Sequence, residues 1–239
     1  MSDPTLEAEV FKQGICAYCG NAGDVTDDHV VPQCLWPGRV PKSAPTVDAC
    51  RRCNHIWKSE YDTYLRDALV NDMQAASSPV VQKLREKFYR SVGRNQSVMA
   101  REFAASAQLI GLQEPSSSII YGFAYTSPDA SKRLPFIMSL IARGLYQYYF
   151  HQTYSADTQF DVMREVELQK IKVLAQAMNE QGAAPVQIGN GEVFQAAIWA
   201  KPNHHSTGLW MFNFYGRIRF LVGVDMRIDA FSHLTNKSR

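Results

Sequence analysis

Between residues 16 and 62 the apolar runs are short and the punctuation is dense, with Pro32, Pro37, Gly38, Pro41 and Pro45 close together. "HVVP" and "TVDA" are β-prone and are joined by the irregular "QCLWPGRVPKSAP", which predicts two short strands and a long connecting loop. From Cys50 the period lengthens. "CRRCNHIWKSEYDTYLRDALVND" contains neither Gly nor Pro, and Trp57, Tyr61, Tyr64, Leu65 and Ala68 recur at helical spacing, so a helix is expected to about Ala76. Further helices are predicted at "PVVQKLREKFYRSV", which opens on Pro79, at "SVMAREFAASAQLI", around residues 131–152, and at "EVELQKIKVLAQAMNEQG", which ends on Gly182. A strand is expected at "SIIYGFAYT". The runs "VQIGN", "EVFQAAIWAK", "LWMFNFYG" and "IRFLVGVD" read as an antiparallel meander with turns at Asn190-Gly191 and near Gly216.

The pattern predicts an α+β protein: an amino-terminal extension (1–15), a small strand-loop-strand-helix module (16–70), and a larger α+β domain (71–239) with helices and a C-terminal antiparallel meander. With 46% hydrophobic and 20% charged residues in 239, the composition is that of a globular protein. The start, "MSDPTLEAEVFKQG", lacks a basic region followed by an apolar run, so a cytoplasmic location is expected. The longest apolar stretch, "LPFIMSLIARGLYQYYF", is interrupted by Arg143 and is too short for a membrane span, so it is expected to be a buried helix. A net charge of +2 does not by itself identify a nucleic-acid partner; only a localised patch would. One such patch exists: between Pro79 and Arg101, Lys83, Arg85, Lys87, Arg90, Arg94 and Arg101 are set against the single acid Glu86. It reads either as a solvated helix face or as a surface that tracks phosphates.

Four of the five cysteines form two CxxC pairs, Cys16 with Cys19 and Cys50 with Cys53. In a chain without export features, pairs at this separation point to a structural Zn²⁺ rather than to disulfides. Such a small, turn-rich module needs the ion to hold it together. Cys34 is expected to be a small buried residue and not a fifth ligand.

A site closed by four thiolates does no chemistry; it fixes what lies between the pairs. Asp28 and His29 lie there, and Asn54 follows the last cysteine. Carboxylate and amide oxygens are hard ligands that suit Mg²⁺, which implies a second, different metal. An imidazole with an ordinary pKa near 6.5 can accept a proton from an attacking water at neutral pH. Together these parts suit hydrolysis of a phosphodiester.

"CAYC", "DDHVVP" and "CRRCNHIWKS" together resemble the HNH endonucleases of the four-cysteine zinc subtype, over about residues 16–62. The resemblance implies a ββα-metal fold, with His29 as general base and Asp28 and Asn54 holding a catalytic Mg²⁺. It further implies one metal per active site and products with 5′-phosphate and 3′-hydroxyl ends; the expected substrate is double-stranded DNA, cleaved or nicked. Strand alternation alone would put Asp27, not Asp28, on the face of His29; the resemblance selects Asp28, with the strand irregular at that point. Where the family usually has a central Asn before the third cysteine, this chain has "SAPTVDAC", so that either Thr46 substitutes or the bracing of the hairpin is lost. Stand-alone proteins of this kind resemble restriction, phage-defence and mobile-element nucleases alike.

Lys58, one helical turn beyond Asn54, is a candidate contact to substrate phosphate or a solvated lysine. His55 points away from Asn54, His204 and His205 are expected in a hairpin loop, and the aromatics of "LYQYYF" are expected in the core. Two other readings accompany DNA cleavage: a zinc-stabilised nucleic-acid-binding or scaffold protein whose catalytic site has decayed, and a nuclease acting on RNA.

Overall fold

The computed structural model describes residues 12–93, 108–113, 119–124, 130–164, 184–188, 192–201 and 204–225, with a few isolated positions between 172 and 180. The architecture is mixed α+β with antiparallel sheets. The first sheet has three strands in the order β1 (Lys12–Ile15), β2 (Ala22–His29), β3 (Thr46–Cys50). β2 is central although Val25 is its one large apolar residue, because pairing on both sides supplies its backbone partners. β1 was not legible, since "KQGI" carries no alternation that marks a strand. The run "HVVP" is only partly strand: β2 stops at His29, and Val30 and Val31 enter the core from a bend. Pro32 has no N–H to extend the ladder, and Val30 N–H instead donates to the Pro45 carbonyl.

The helix expected from Cys50 begins as a π-helical segment, Arg52–Lys58, and becomes regular in α1 (Ser59–Val70). In an α-helix two residues five apart point about 140° from each other. Winding that closes i→i+5 returns five residues later to nearly the same face. Cys53 and Lys58 can thus both face the β2–β3 hairpin.

After a 3-10 turn at Met73–Ala75, α2 (Pro79–Gly93) buries Val81, Leu84 and Phe88. β4 (Gln108–Gln113) and β5 (Ile119–Ala124) form a separate hairpin. Gln108, Leu109 and Ile110, expected at the end of a helix, are therefore strand; pairing with β5 overrides the helical preference of Gln108 and Leu109. The rest of that predicted helix lies outside the described residues, as do most of the helix predicted to end at Gly182 and the turn at Asn190-Gly191.

α3 (Ala130–Phe150) is the buried helix read from the sequence. No described helix is long and apolar enough to cross a membrane. The second sheet runs β6 (Phe160–Arg164), β10 (Ile218–Val224), β9 (His204–Phe214), β8 (Phe194–Lys201), β7 (Ala184–Ile188). The expected meander is present, and β6, unmarked in the sequence, adds an edge against β10. Tyr215 and Gly216 both have positive φ in the tight turn between β9 and β10. His204 and His205 open β9 instead of lying in a loop. Phe194, Trp210, Phe212, Phe214 and Phe220 fill the inner face, with Phe194 and Phe214 ring centroids 5.1 Å apart.

One buried cluster extends from Cys16 through α1, α2 and α3 to Val224. α3 lies across the amino-terminal sheet, close enough that a Cβ on Gly144 would meet Val30 at 2.8 Å. Gln147 donates to the Ile15 carbonyl, and Tyr215 to the Leu35 carbonyl. The zinc-type module is thus packed into the same core as the meander.

Candidate metal centre and the Asp28–His29 site

Cys16 and Cys19 sit in a knuckle between β1 and β2, closed by Gly20 N–H donating to the Cys16 carbonyl at 2.9 Å. Gly20 has φ 74°, which favours glycine. Cys50 ends β3 and Cys53 enters the π-helical turn. The four sulfurs lie within 4.8 Å of one another, and Cys19 and Cys50 Sγ are 3.9 Å apart. Bonds of about 2.3 Å to a tetrahedral Zn²⁺ place sulfurs about 3.8 Å apart, so the cluster has the size and chemistry of a structural zinc site. A hydrogen bond between the Cys16 and Cys53 thiols draws Cys16 below the usual thiol range and pushes Cys53 above it. Cys34 is outside the cluster: its thiol donates to the Asp62 carbonyl, and burial pushes it up to about 12.

β2 keeps regular pairing to its end, with Asp27 opposite Asp48, Asp28 opposite Val47 and His29 opposite Thr46. The irregularity expected at Asp28 is absent, so Asp28 and His29 leave opposite faces of the strand. Asp27 points to solvent, 74% exposed, where Lys12 bridges it and Asp48 at 2.8 and 2.7 Å. Asp28 shares its face with Thr26, turned toward the knuckle and the π-helical segment. Thr26 Oγ1 accepts a hydrogen bond from Asn54 Nδ2 at 3.1 Å. Asn54 and Asp28 therefore address the same face of β2, Asn54 through its contact with the residue two before.

Asp28 already has partners. Tyr18 donates its hydroxyl to Oδ2 at 2.5 Å, and the Lys58 ammonium lies 3.3 Å from the same oxygen. Burial, followed by the Asp28 charge, raises the Tyr18 pKa. Lys58 is only 3% exposed. Its Nζ also donates to the His29 carbonyl at 2.6 Å and to Asp62 Oδ2 at 3.1 Å. Burial pushes the Asp62 carboxyl up to about 6, with the Lys58 charge opposing. The lysine read as a substrate contact is thus turned inward, because its π-helical position aims it at two carboxylates and a strand-end carbonyl. His29 is half-buried, and its Nδ1 is buried without a protein partner. His55 is exposed on the adjacent helical position.

Tyr18 and Asp62 were not singled out in the sequence. Asp62 had a usable signal, four residues after Lys58 on one helix. Tyr18 lies inside the first CxxC and had none.

The basic residues divide by role. Arg85 Nε donates to the Val70 carbonyl at the end of α1, and Lys87 to the Pro37 carbonyl. Arg90 folds back on the Glu86 carbonyl. Lys83, Lys87 and Arg90 are exposed along one side of α2, with Tyr89, 59% exposed, beside them. Arg94 and Arg101 lie outside the described residues.

A scan against protein-family models, a search of curated proteins and a search of solved structures each found no match. What stands on the geometry itself is a four-cysteine cluster able to chelate a divalent metal, clamping a β-hairpin to the start of a helix.

Proposed function

We propose that the chain is a metal-dependent endonuclease of HNH type that hydrolyses DNA phosphodiester bonds, with its zinc-clamped module carrying the reaction. The supporting observation is that Asp28 and Asn54 address one face of β2 beside the four-thiol cluster, while His29, next in sequence at the strand end and on the opposite face, keeps a buried Nδ1 without a protein partner. A buried polar atom without a partner calls for an explanation, and catalysis is one of the recurring ones. The oxygens of Asp28, Asp62 and the His29 carbonyl already hold one cation, the Lys58 ammonium, and the Asp28 carboxylate among them is a hard donor of the kind that suits Mg²⁺. Asp28 and Asn54 would hold the ion, and a bound Mg²⁺ supplies charge stabilisation at the phosphoryl and leaving oxygens. His29 would take the proton from the attacking water. The exposed side of α2 would bring phosphates toward the module through Lys83, Lys87 and Arg90.

A second reading has its own observation. Asp28 is already engaged by Lys58 and Tyr18, Asn54 by Thr26, and Thr46 stands where the family's central Asn would brace the hairpin. This arrangement favours a zinc-stabilised nucleic-acid-binding or scaffold protein that no longer cuts.

Supercoiled plasmid incubated with the zinc-loaded protein separates the two. Nicked or linear product is expected with Mg²⁺ and not with EDTA; it should be lost in Asp28→Ala and largely kept in Asp27→Ala, whose carboxylate is on the solvent side with Lys12. Retained binding with no cutting under any divalent ion would establish the second reading, and cutting of RNA in place of DNA would change the substrate class.

A further inference from the structure

We infer that Lys58 is the resident counter-ion of the Asp28 carboxylate, that a divalent cation enters by displacing it, and that Asp62 is the seat to which the ammonium withdraws. This rests on the reading of Asp28 as a metal ligand. Lysine is almost never this buried unless paired, and a buried charge is costly without compensation. Here the ammonium is compensated twice over: Asp28, with its side chain 10% exposed, lies on one side, and Asp62 on the other. The distances are unequal. Nζ is 3.1 Å from Asp62 and 2.6 Å from the His29 carbonyl, but 3.3 to 3.4 Å from the two Asp28 oxygens. The longest of these contacts is the one that a competing cation must break. Asp62 lies one turn further along the same helical run, so a rotamer change in Lys58 can keep that pair while releasing Asp28.

Charge favours the exchange in one direction only. One ammonium between two carboxylates leaves a net negative site, which attracts a dication. Once the dication has bound Asp28, the ammonium is repelled from it and held by Asp62. Tyr18, donating to Asp28 Oδ2, keeps the carboxylate oriented through the change. The ammonium therefore protects an otherwise unpaired buried carboxylate before metal arrives, and lowers metal affinity by the fraction of molecules in which it occupies Asp28.

The test is direct Mn²⁺ binding to the zinc-loaded full chain, read by electron paramagnetic resonance of free Mn²⁺, with zinc content and circular dichroism as checks on folding. Asp28→Asn should abolish the site. Lys58→Met should tighten Mn²⁺ by about tenfold, and Asp62→Asn should weaken it by a similar factor, because the lysine then clings to Asp28. In the double variant the Asp62→Asn effect should vanish. Unchanged or weaker binding in Lys58→Met overturns the inference. So does an undiminished Asp62→Asn effect in the double variant, which would make Asp62 a direct ligand. Should Lys58→Met not fold, Lys58→Arg and Asp62→Asn still decide: both should weaken Mn²⁺, since a guanidinium grips a carboxylate more firmly, and no weakening in either is a refutation. Equal binding by the unmodified protein and Asp28→Asn would instead remove the metal-ligand reading itself, and the exchange with it.

Discussion

His29 ends β2 with its backbone carbonyl held by Lys58 and its Nδ1 buried without a protein partner, so the strand end is fixed while that ring nitrogen makes no hydrogen bond to the protein. If it accepts the proton of the attacking water, His29→Ala should lower plasmid cleavage by about 10² to 10⁴-fold, the usual effect of removing a general base. DNA retention in a gel shift and zinc content should not change. Cleavage at the normal rate would mean another base is at work. Cys34 gives a second test at this scale. Burial holds its thiol neutral up to about pH 12 against an ordinary 9.0. Because the folded value is the higher, the stability this thiol contributes is complete below about pH 9 and is lost as pH rises toward 12. At pH 8 iodoacetamide should therefore leave Cys34 unmodified in the folded protein and label it only after denaturant is added, as mass spectrometry of its peptide would show.

Two elements carry the larger consequences. The knuckle and the strand end around the four thiols are short and turn-rich, and the ion would tie together four side chains that backbone pairing alone does not. Cys50→Ser should release zinc from a chain that otherwise binds about one ion, and should lower the unfolding temperature; metal analysis beside a thermal melt checks both. Full zinc content in that variant would contradict the site. α2 presents the other test. Replacing Lys83, Lys87 and Arg90 together by Ala should reduce the slope of log affinity against log salt by about 2 to 3 if each meets a phosphate. Arg85→Ala should act differently, since this residue, unlike exposed Lys87 and Arg90, is partly buried with its guanidinium on the Val70 carbonyl at the end of α1: stability should fall while the salt slope stays. The division between these four cations was not readable from charge alone, because the sequence shows that they are basic but not which of them the fold leaves exposed.

At the scale of the described residues, α3 packs against both the amino-terminal sheet and the meander, within one buried cluster. Val30 is fully buried and β-branched, so a methyl group at Gly144 has no room against it. Gly144→Ala should cost about 1 to 3 kcal/mol through overpacking. If the core is continuous, zinc release and loss of near-ultraviolet circular dichroism should shift to the same lower temperature in this variant. Two separate transitions would show that the packing of α3 across the amino-terminal sheet does not couple them.

Residue chemistry and spacing by themselves determined the four-thiol cluster, because two CxxC pairs carry their partner set wherever the intervening loop goes. They also determined the buried helix around residues 131–152 and the meander, whose hydrophobic faces are strong and whose turns are marked near Gly216. Short strands such as β1 and β6 escaped, since pairing with a neighbour, not local preference, makes them strands. The face on which Asp28 stands was decided by the register of β2 with β3. Tertiary structure alone also turned Lys58 inward: an extra residue in the π-helical turn rotates its side chain onto Asp28 and Asp62, and no count of residues along the sequence reveals where a helix departs from its regular winding.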